Sequence, residues 1–110
     1  MFKDFVKLVQ SLNKKNQIIF FCESESMYHK IFENKIKFFE KKNYRILIIT
    51  FKSELKEKYT NQLIDYVNFN NFDLLKVFFK KVKNKIIISS TPTINKTISN
   101  KSNYFIFIQH

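Results

Sequence analysis

Three apolar segments of the chain are each followed by side chains suited to binding polar ligands or transferring protons. Glu23 and Ser24 follow the first, Ser90 and Thr91 follow a later one, and His110 follows the last. Imidazole changes its charge near neutral pH, and carboxylates and hydroxyls accept hydrogen bonds from polar ligands. In an open α/β sheet, ligands bind beyond the carboxyl ends of the strands, where the strand order reverses. These five residues are therefore the candidate site, with His110 as the candidate catalytic residue.

Each candidate also has an ordinary structural explanation, which the sequence leaves open. Ser90 and Thr91 are typical turn residues, and Glu23 suits the start of a helix, where the helix dipole favours a negative charge. His110 is equally compatible with a site and with an incidental position. Cys22 fits a small buried core residue, and His29 fits an exposed helix surface.

The segments that must position these residues alternate between strand-like and helix-like patterns. Apolar residues recur at helical spacing over 2–14, about 26–42 and 71–83, with Asn70 or Asn71 as the cap of the third helix. A short helix is predicted over 53–59, and one or two helical turns over 93–101. Short apolar runs predict five strands, over 17–22, 44–51, 64–69, 85–89 and 104–108. The signal for a strand over 64–69 is weaker than that for the other four.

This alternation predicts an α/β fold with a doubly wound, mostly parallel sheet of four to five strands and right-handed crossovers. We expect helices on both faces of the sheet and the strand order 3-2-1-4-5, which makes 104–108 an edge strand. Residues 1–110 form a single domain, with an N-terminal helix over 1–15. No apolar run approaches the roughly 20 residues of a membrane span. The single Cys22 allows no internal disulfide, which predicts a cytoplasmic location.

The formal net charge of +11 raises the question of an anionic partner. Nineteen of the twenty basic residues are lysines, whereas base recognition and bidentate phosphate contacts favour arginine. The chain also contains twelve asparagines and many Ile and Phe residues, whose codons are A/T-rich. We expect no specific nucleic-acid binding, with attraction to an anionic membrane or substrate as the alternative.

The chain contains no glycine, which excludes two common nucleotide-binding motifs. The dinucleotide-binding fingerprint and the P-loop both need glycine for tight turns and for close approach of the backbone to phosphate. One cysteine and two distant histidines offer no ligand spacing typical of a metal site. We therefore predict neither a cofactor nor a metal.

Three motifs together resemble the CDP-glycerol glycerophosphotransferase family. Residues 19–24 (IFFCES) resemble its first strand and Ser-Glu-Gly turn, and residues 90–95 (STPTIN) resemble its Thr-Thr-Pro-Asp-Leu segment. Residues 104–110 (YFIFIQH) resemble its aromatic strand ending in histidine. The order and spacing of the three motifs agree, and the resemblance covers residues 17–110.

The resemblance implies the Rossmann-like, acceptor-side lobe of a two-lobed GT-B transferase of teichoic-acid-like surface-polymer synthesis. His110 matches the family's proposed general base, and Glu23, Ser24, Ser90 and Thr91 would contact substrate. The acceptor would be phosphate-rich or lipid-linked, and the enzyme would be peripheral at the inner membrane face.

Two departures from the family pattern are Ser24 in place of glycine and Thr93 in place of an acidic residue. The donor lobe lies outside this sequence, so we expect the chain alone to be inactive in transfer. We also expect self-association or a partner through the apolar segment 104–108. The alternatives are a stand-alone basic module that binds anionic lipid or nucleic acid, and an inert remnant of a truncated reading frame.

Overall fold

The structure is a computed structural model, and it describes residues 2–12, 17–22, 32–50, 62–68, 71–90 and 103–108. Its helices are α1 (Phe2–Leu12), α2 (Glu33–Lys41) and α3 (Phe72–Lys81). Its strands are β1 (Gln17–Cys22), β2 (Arg45–Thr50), β3 (Ile64–Asn68), β4 (Ile86–Ser89) and β5 (Tyr104–Phe107). The predicted elements over 53–59 and 93–101 lie outside the described residues.

The five strands form one parallel sheet in the order β3-β2-β1-β4-β5. The register is continuous across it: Ile18 pairs with Ile46 of β2 and with Ile86 of β4, and Ile86 pairs with Tyr104 of β5. The order reverses between β1 and β4, because the chain builds β2 and β3 to one side of β1 and then β4 and β5 to the other. The predicted fold class, parallel sheet and strand order are confirmed.

The central strands β1, β2 and β4 are buried on both faces, which is why they are continuous apolar runs. On one face, α1 and α3 pack on the sheet through Leu8, Leu75 and Phe79. On the other, α2 packs through Ile36 together with Phe32, which precedes it. The crossover from β1 through α2 to β2 runs toward one edge of the sheet, and the crossover from β3 through α3 to β4 runs back across the opposite face. The two crossovers therefore have the same handedness.

Asparagine takes the place of glycine in two turns of the chain, at the end of α2 and shortly before β4. Asn43 and Asn84 follow α2 and α3 with φ values of 64° and 61°, a left-handed region that asparagine tolerates better than most residues. After α2, the amide of Asn43 donates to Glu40 O and the amide of Tyr44 donates to Phe39 O. The rings of Phe39 and Tyr44 also pack edge to face at 5.8 Å. This is a Schellman ending, built here without glycine.

The buried side of α1 differs from the predicted apolar stripe. Val6 is one of the apolar residues that recur at helical spacing over 2–14, but it is 37% exposed, whereas Leu8 is fully buried and Ser11 is 2% exposed. The reason is a polar contact, because Ser11 Oγ donates a 2.9 Å hydrogen bond to Asp65 Oδ2 at the start of β3. Leu8 and Ser11 therefore lie against the sheet, whereas Val6 is partly exposed.

Candidate functional site

The candidate site lies at the carboxyl edge of the sheet, where β1 and β4 are neighbours and the strand order reverses. Phe21 pairs with Ser89, so β1 and β4 end at nearly the same level. Cys22 and Ser89 are fully buried, and Ser90 is 1% exposed. This is the point at which open α/β sheets place their ligands.

The structure describes one of the five predicted site residues. Ser90 directly follows β4 at the predicted edge and is buried, unlike an ordinary exposed turn serine. Glu23, Ser24, Thr91 and His110 lie outside the described residues. Their assignment to the site stays a prediction, although the strands that precede them end at the same edge of one parallel sheet.

Cys22 is a packed core residue at this edge. Its side chain belongs to the cluster on the α2 face, together with Phe20, Ile48 and Ile88. Burial raises the pKa of the Cys22 thiol well above its ordinary value, because a thiolate would be desolvated there. The thiol therefore stays neutral and is not a nucleophile in the folded chain.

A buried hydroxyl pair lies beside Cys22 and was missed by sequence reasoning. Thr50 pairs in register with Cys22, and its Oγ1 lies 3.1 Å from the hydroxyl oxygen of Tyr66. Thr50 is fully buried and Tyr66 is 6% exposed. The available signal was that Thr50 is the one polar residue at the carboxyl end of an otherwise apolar run. The pair provides hydroxyl groups on the α2 face of the candidate edge.

A second polar cluster lies at the opposite, amino-terminal edge of the sheet. Gln17 Nε2 donates to Ser11 O at 3.0 Å and to Ser11 Oγ at 2.9 Å, and Lys85 Nζ donates to Gln17 Oε1 at 3.2 Å. All three residues are buried. Burial lowers the pKa of Lys85, because the charged ammonium is desolvated.

Asn103, which directly precedes β5, makes two hydrogen bonds to backbone groups at the same edge. Its Oδ1 accepts a hydrogen bond from the amide of Lys85 at 2.9 Å, and its Nδ2 donates to Val82 O at 2.8 Å. This cluster connects α1 and the segments before β4 and β5. Since ligands of open α/β sheets bind at the carboxyl edge, we assign the amino-terminal cluster to stability rather than to the site.

The exposed lysines of the described helices lie on both faces of the sheet. They are Lys35, Lys37 and Lys41 on α2, with Lys42 directly after it, and Lys76, Lys80 and Lys81 on α3. A nucleic-acid interface usually needs a basic patch on one face. Within the described segments the lysines are scattered, as expected if codon composition is the source of the charge.

The described part of the chain contains neither a candidate metal site nor a candidate membrane-spanning helix. No group of three or more His, Cys, Asp or Glu residues that could hold a metal ion occurs there. None of the described helices is long and apolar enough to cross a membrane.

The fold and the edge geometry define a Rossmann-like, doubly wound α/β protein with its switch point between β1 and β4. Comparison with known proteins finds no matching family model, no matching curated protein and no matching solved structure.

Proposed function

We propose that this chain is the acceptor-side lobe of a transferase that resembles the CDP-glycerol glycerophosphotransferases of surface-polymer synthesis. The observation that carries the proposal is the adjacency of β1 and β4 at the switch point. The first resembling motif includes the end of β1, the second directly follows β4, and the third includes β5, which is the next strand in the sheet. Three motifs separated in the sequence thus belong to three consecutive strands with one common carboxyl edge.

In the proposed reaction, His110 is the general base. It would take the proton of an acceptor hydroxyl as that oxygen attacks the β-phosphorus of the CDP-linked donor, and CMP would leave. A neutral imidazole is available for this role near pH 7. Ser90 and Thr91 after β4, and Glu23 and Ser24 after β1, would bind the acceptor.

The donor would bind to a second lobe, because transfer requires donor and acceptor to be held together in one cleft. The chain alone is therefore expected to release no CMP from CDP-glycerol. The basic surface would support a peripheral location at the inner membrane face, close to a lipid-linked, phosphate-rich acceptor.

Acceptor binding can be tested by NMR titration of the chain with a glycerol-phosphate oligomer. We expect chemical-shift changes at the amides of Cys22, Ser89 and Ser90 and at the imidazole of His110. An inorganic polyphosphate of equal charge is the control for non-specific attraction to lysines. Shifts that polyphosphate reproduces in full would instead favour a general anion-binding module.

Two histidine variants give the titration a matched comparison. His110→Gln should weaken binding of the glycerol-phosphate oligomer, whereas His29→Gln should leave it unchanged. Equal affinities for the two variants would contradict a contact between His110 and the acceptor. CMP release by the unmodified chain that requires His110 would contradict the proposed division between the lobes.

A further inference from the structure

The outer edge of β5 carries backbone groups that no described strand pairs. The amide of Tyr104 donates to Lys85 O and the amide of Ile108 donates to Ser89 O, both at 2.8 Å. Since successive residues of a strand direct their backbone groups to opposite edges, residues 104, 106 and 108 face β4. Phe105 and Phe107 therefore direct their N–H and C=O groups to the outer edge of the sheet.

The side chains at this edge are apolar and exposed. Tyr104 is 74% exposed, Ile106 is 45% exposed and Phe107 is 44% exposed. Residues 103–108 include no charged residue, although the chain has nineteen lysines. Edge strands of monomeric proteins are usually protected by lysine, proline or a bulge. β5 has no charge or proline that would prevent pairing with another strand.

An apolar groove adjoins the edge on the α2 face. It has a volume of about 410 Å³, and its apolar lining consists of Phe38, Phe39, Ile88, Ile106 and Ile108. The ring of Phe38 is 55% exposed. The exposed edge and the groove therefore form one continuous apolar surface that shares Ile106.

We propose that this surface is a homodimer interface in which β5 pairs antiparallel with β5 of a second copy. The two-fold axis passes midway between the two Ile106 residues, perpendicular to the sheet. Phe105 of each copy lies opposite Phe107 of the other, and each of these two pairs exchanges two backbone hydrogen bonds. The result is a continuous ten-stranded sheet with both grooves on the same face.

The side chains favour a second copy as the occupant, because this register is self-complementary. Ile106 meets its own equivalent, Tyr104 meets Ile108, and Phe105 meets Phe107. Every cross-strand pair thus joins aromatic or β-branched residues, the combinations that stabilise antiparallel strands. A two-fold axis requires such self-complementarity of a single surface, and no like charges meet between residues 103–108 of the two copies.

The available area is consistent with a weak dimer. Taking about 200 Å² for one aromatic side chain, the exposed parts of Tyr104, Phe107 and Phe38 amount to roughly 350 Å² for each copy. Both copies together, with Ile106 and the strand backbone, approach the lower limit of about 1,200 Å² for a specific interface. We therefore expect a dimer that forms at micromolar concentrations and dissociates on dilution.

Cross-linking tests the register. In the proposed dimer the two Ile106 positions form a non-hydrogen-bonded pair with Cα atoms about 4.5 Å apart, within the range that a disulfide spans. Ile106→Cys should form a covalent dimer under mild oxidation. The two Tyr104 positions are offset by roughly 13 Å along the strands, so Tyr104→Cys should not. Buried Cys22 leaves the unmodified chain as a clean background.

Association itself is measured by sedimentation over about 5 to 500 µM. Ile106→Lys, which brings two ammonium groups together at the axis, should shift the dimer to monomer. Val77→Lys on α3 is the matched control, because Val77 is 48% exposed and belongs neither to β5 nor to the groove. An unmodified chain that is monomeric at every concentration would overturn the proposal. Equal association of the two lysine variants, or cross-linking of Tyr104→Cys as efficient as that of Ile106→Cys, would also overturn it.

Discussion

The Nζ atom of Lys85 donates a 3.2 Å hydrogen bond to Oε1 of Gln17, although the two residues are 68 positions apart in the sequence. The bond joins the start of β1 to the residue before β4. Gln17 in turn donates to Ser11, so one amide side chain connects α1, β1 and β4. Gln17 is therefore the residue that links the other members of the polar cluster at the amino-terminal edge of the sheet.

Removing the Gln17 amide should therefore destabilise the fold. Gln17→Ala takes a partner from both Ser11 and Lys85 in a buried setting, and we expect the free energy of unfolding to fall by about 1–3 kcal/mol. Urea denaturation followed by circular dichroism measures the change. Gln10→Ala on the exposed side of α1 is the control, and it should change stability by less than about 0.5 kcal/mol. Equal losses for the two variants would show that the network does not stabilise the fold.

Stability should increase with pH through the contribution of Lys85. Burial lowers the pKa of Lys85 in the folded chain, whereas the unfolded chain retains the ordinary value of 10.5. Between these two pKa values the unfolded chain binds more protons, so the free energy of unfolding rises as the pH increases toward 10.5. Lys85→Met should remove this rise, and Lys83→Met, which alters an exposed lysine, should retain it. Parallel pH profiles of the two variants would contradict the prediction.

The hydroxyl pair at the carboxyl edge should show measurable coupling. Thr50→Val keeps the shape of the side chain but removes the 3.1 Å contact with the Tyr66 hydroxyl. A double-mutant cycle of Thr50→Val and Tyr66→Phe should give a coupling free energy of about 0.5–1.5 kcal/mol. Tyr104→Phe, at an exposed hydroxyl, is the control for loss of a phenol group. Strictly additive single-variant effects would exclude the hydrogen bond as a stabilising contact.

Binding to nucleic acid should be weak and controlled by salt. Because the described lysines lie on both faces of the sheet, we expect a Kd no tighter than about 1 µM at physiological salt, which is typical of non-specific binding. Fluorescence anisotropy with duplexes of unrelated sequence measures both affinity and selectivity, and the affinity should fall linearly with salt on logarithmic axes. Tight binding that distinguishes one sequence from another would show that the lysines form a specific interface.

The fold was predictable because a parallel sheet buried on both faces leaves a strong signal in the sequence. Continuous apolar runs such as Gln17–Cys22 are distinguishable from the helical spacing of the segment that became α3. Asn70 or Asn71 was predicted as the cap of α3, and Asn71 is confirmed, since its side chain accepts a hydrogen bond from the amide of Leu74. Local chemistry decides both features.

The candidate site was predictable only in part. The common edge of β1, β4 and β5 follows from parallel strands, and Ser90 lies at that edge. The hydroxyl pair of Thr50 and Tyr66 was not foreseen, because it depends on the register between β2 and β3. A one-residue change of register would turn either side chain to the other face of the sheet.

The five strands, their order in the sheet and the helices α1, α2 and α3 could be predicted from the sequence alone, since apolar periodicity, capping and crossover handedness act over short stretches of chain. Only the tertiary structure decided which side of α1 is buried, where Lys85 finds its acceptor and which groups of β5 remain exposed. Ser11 contacts Asp65 across 54 positions, and Lys85 contacts Gln17 across 68. The physical reason is that such polar contacts require the packed sheet to bring distant segments together, and a buried polar group is stable only where that packing supplies its partner.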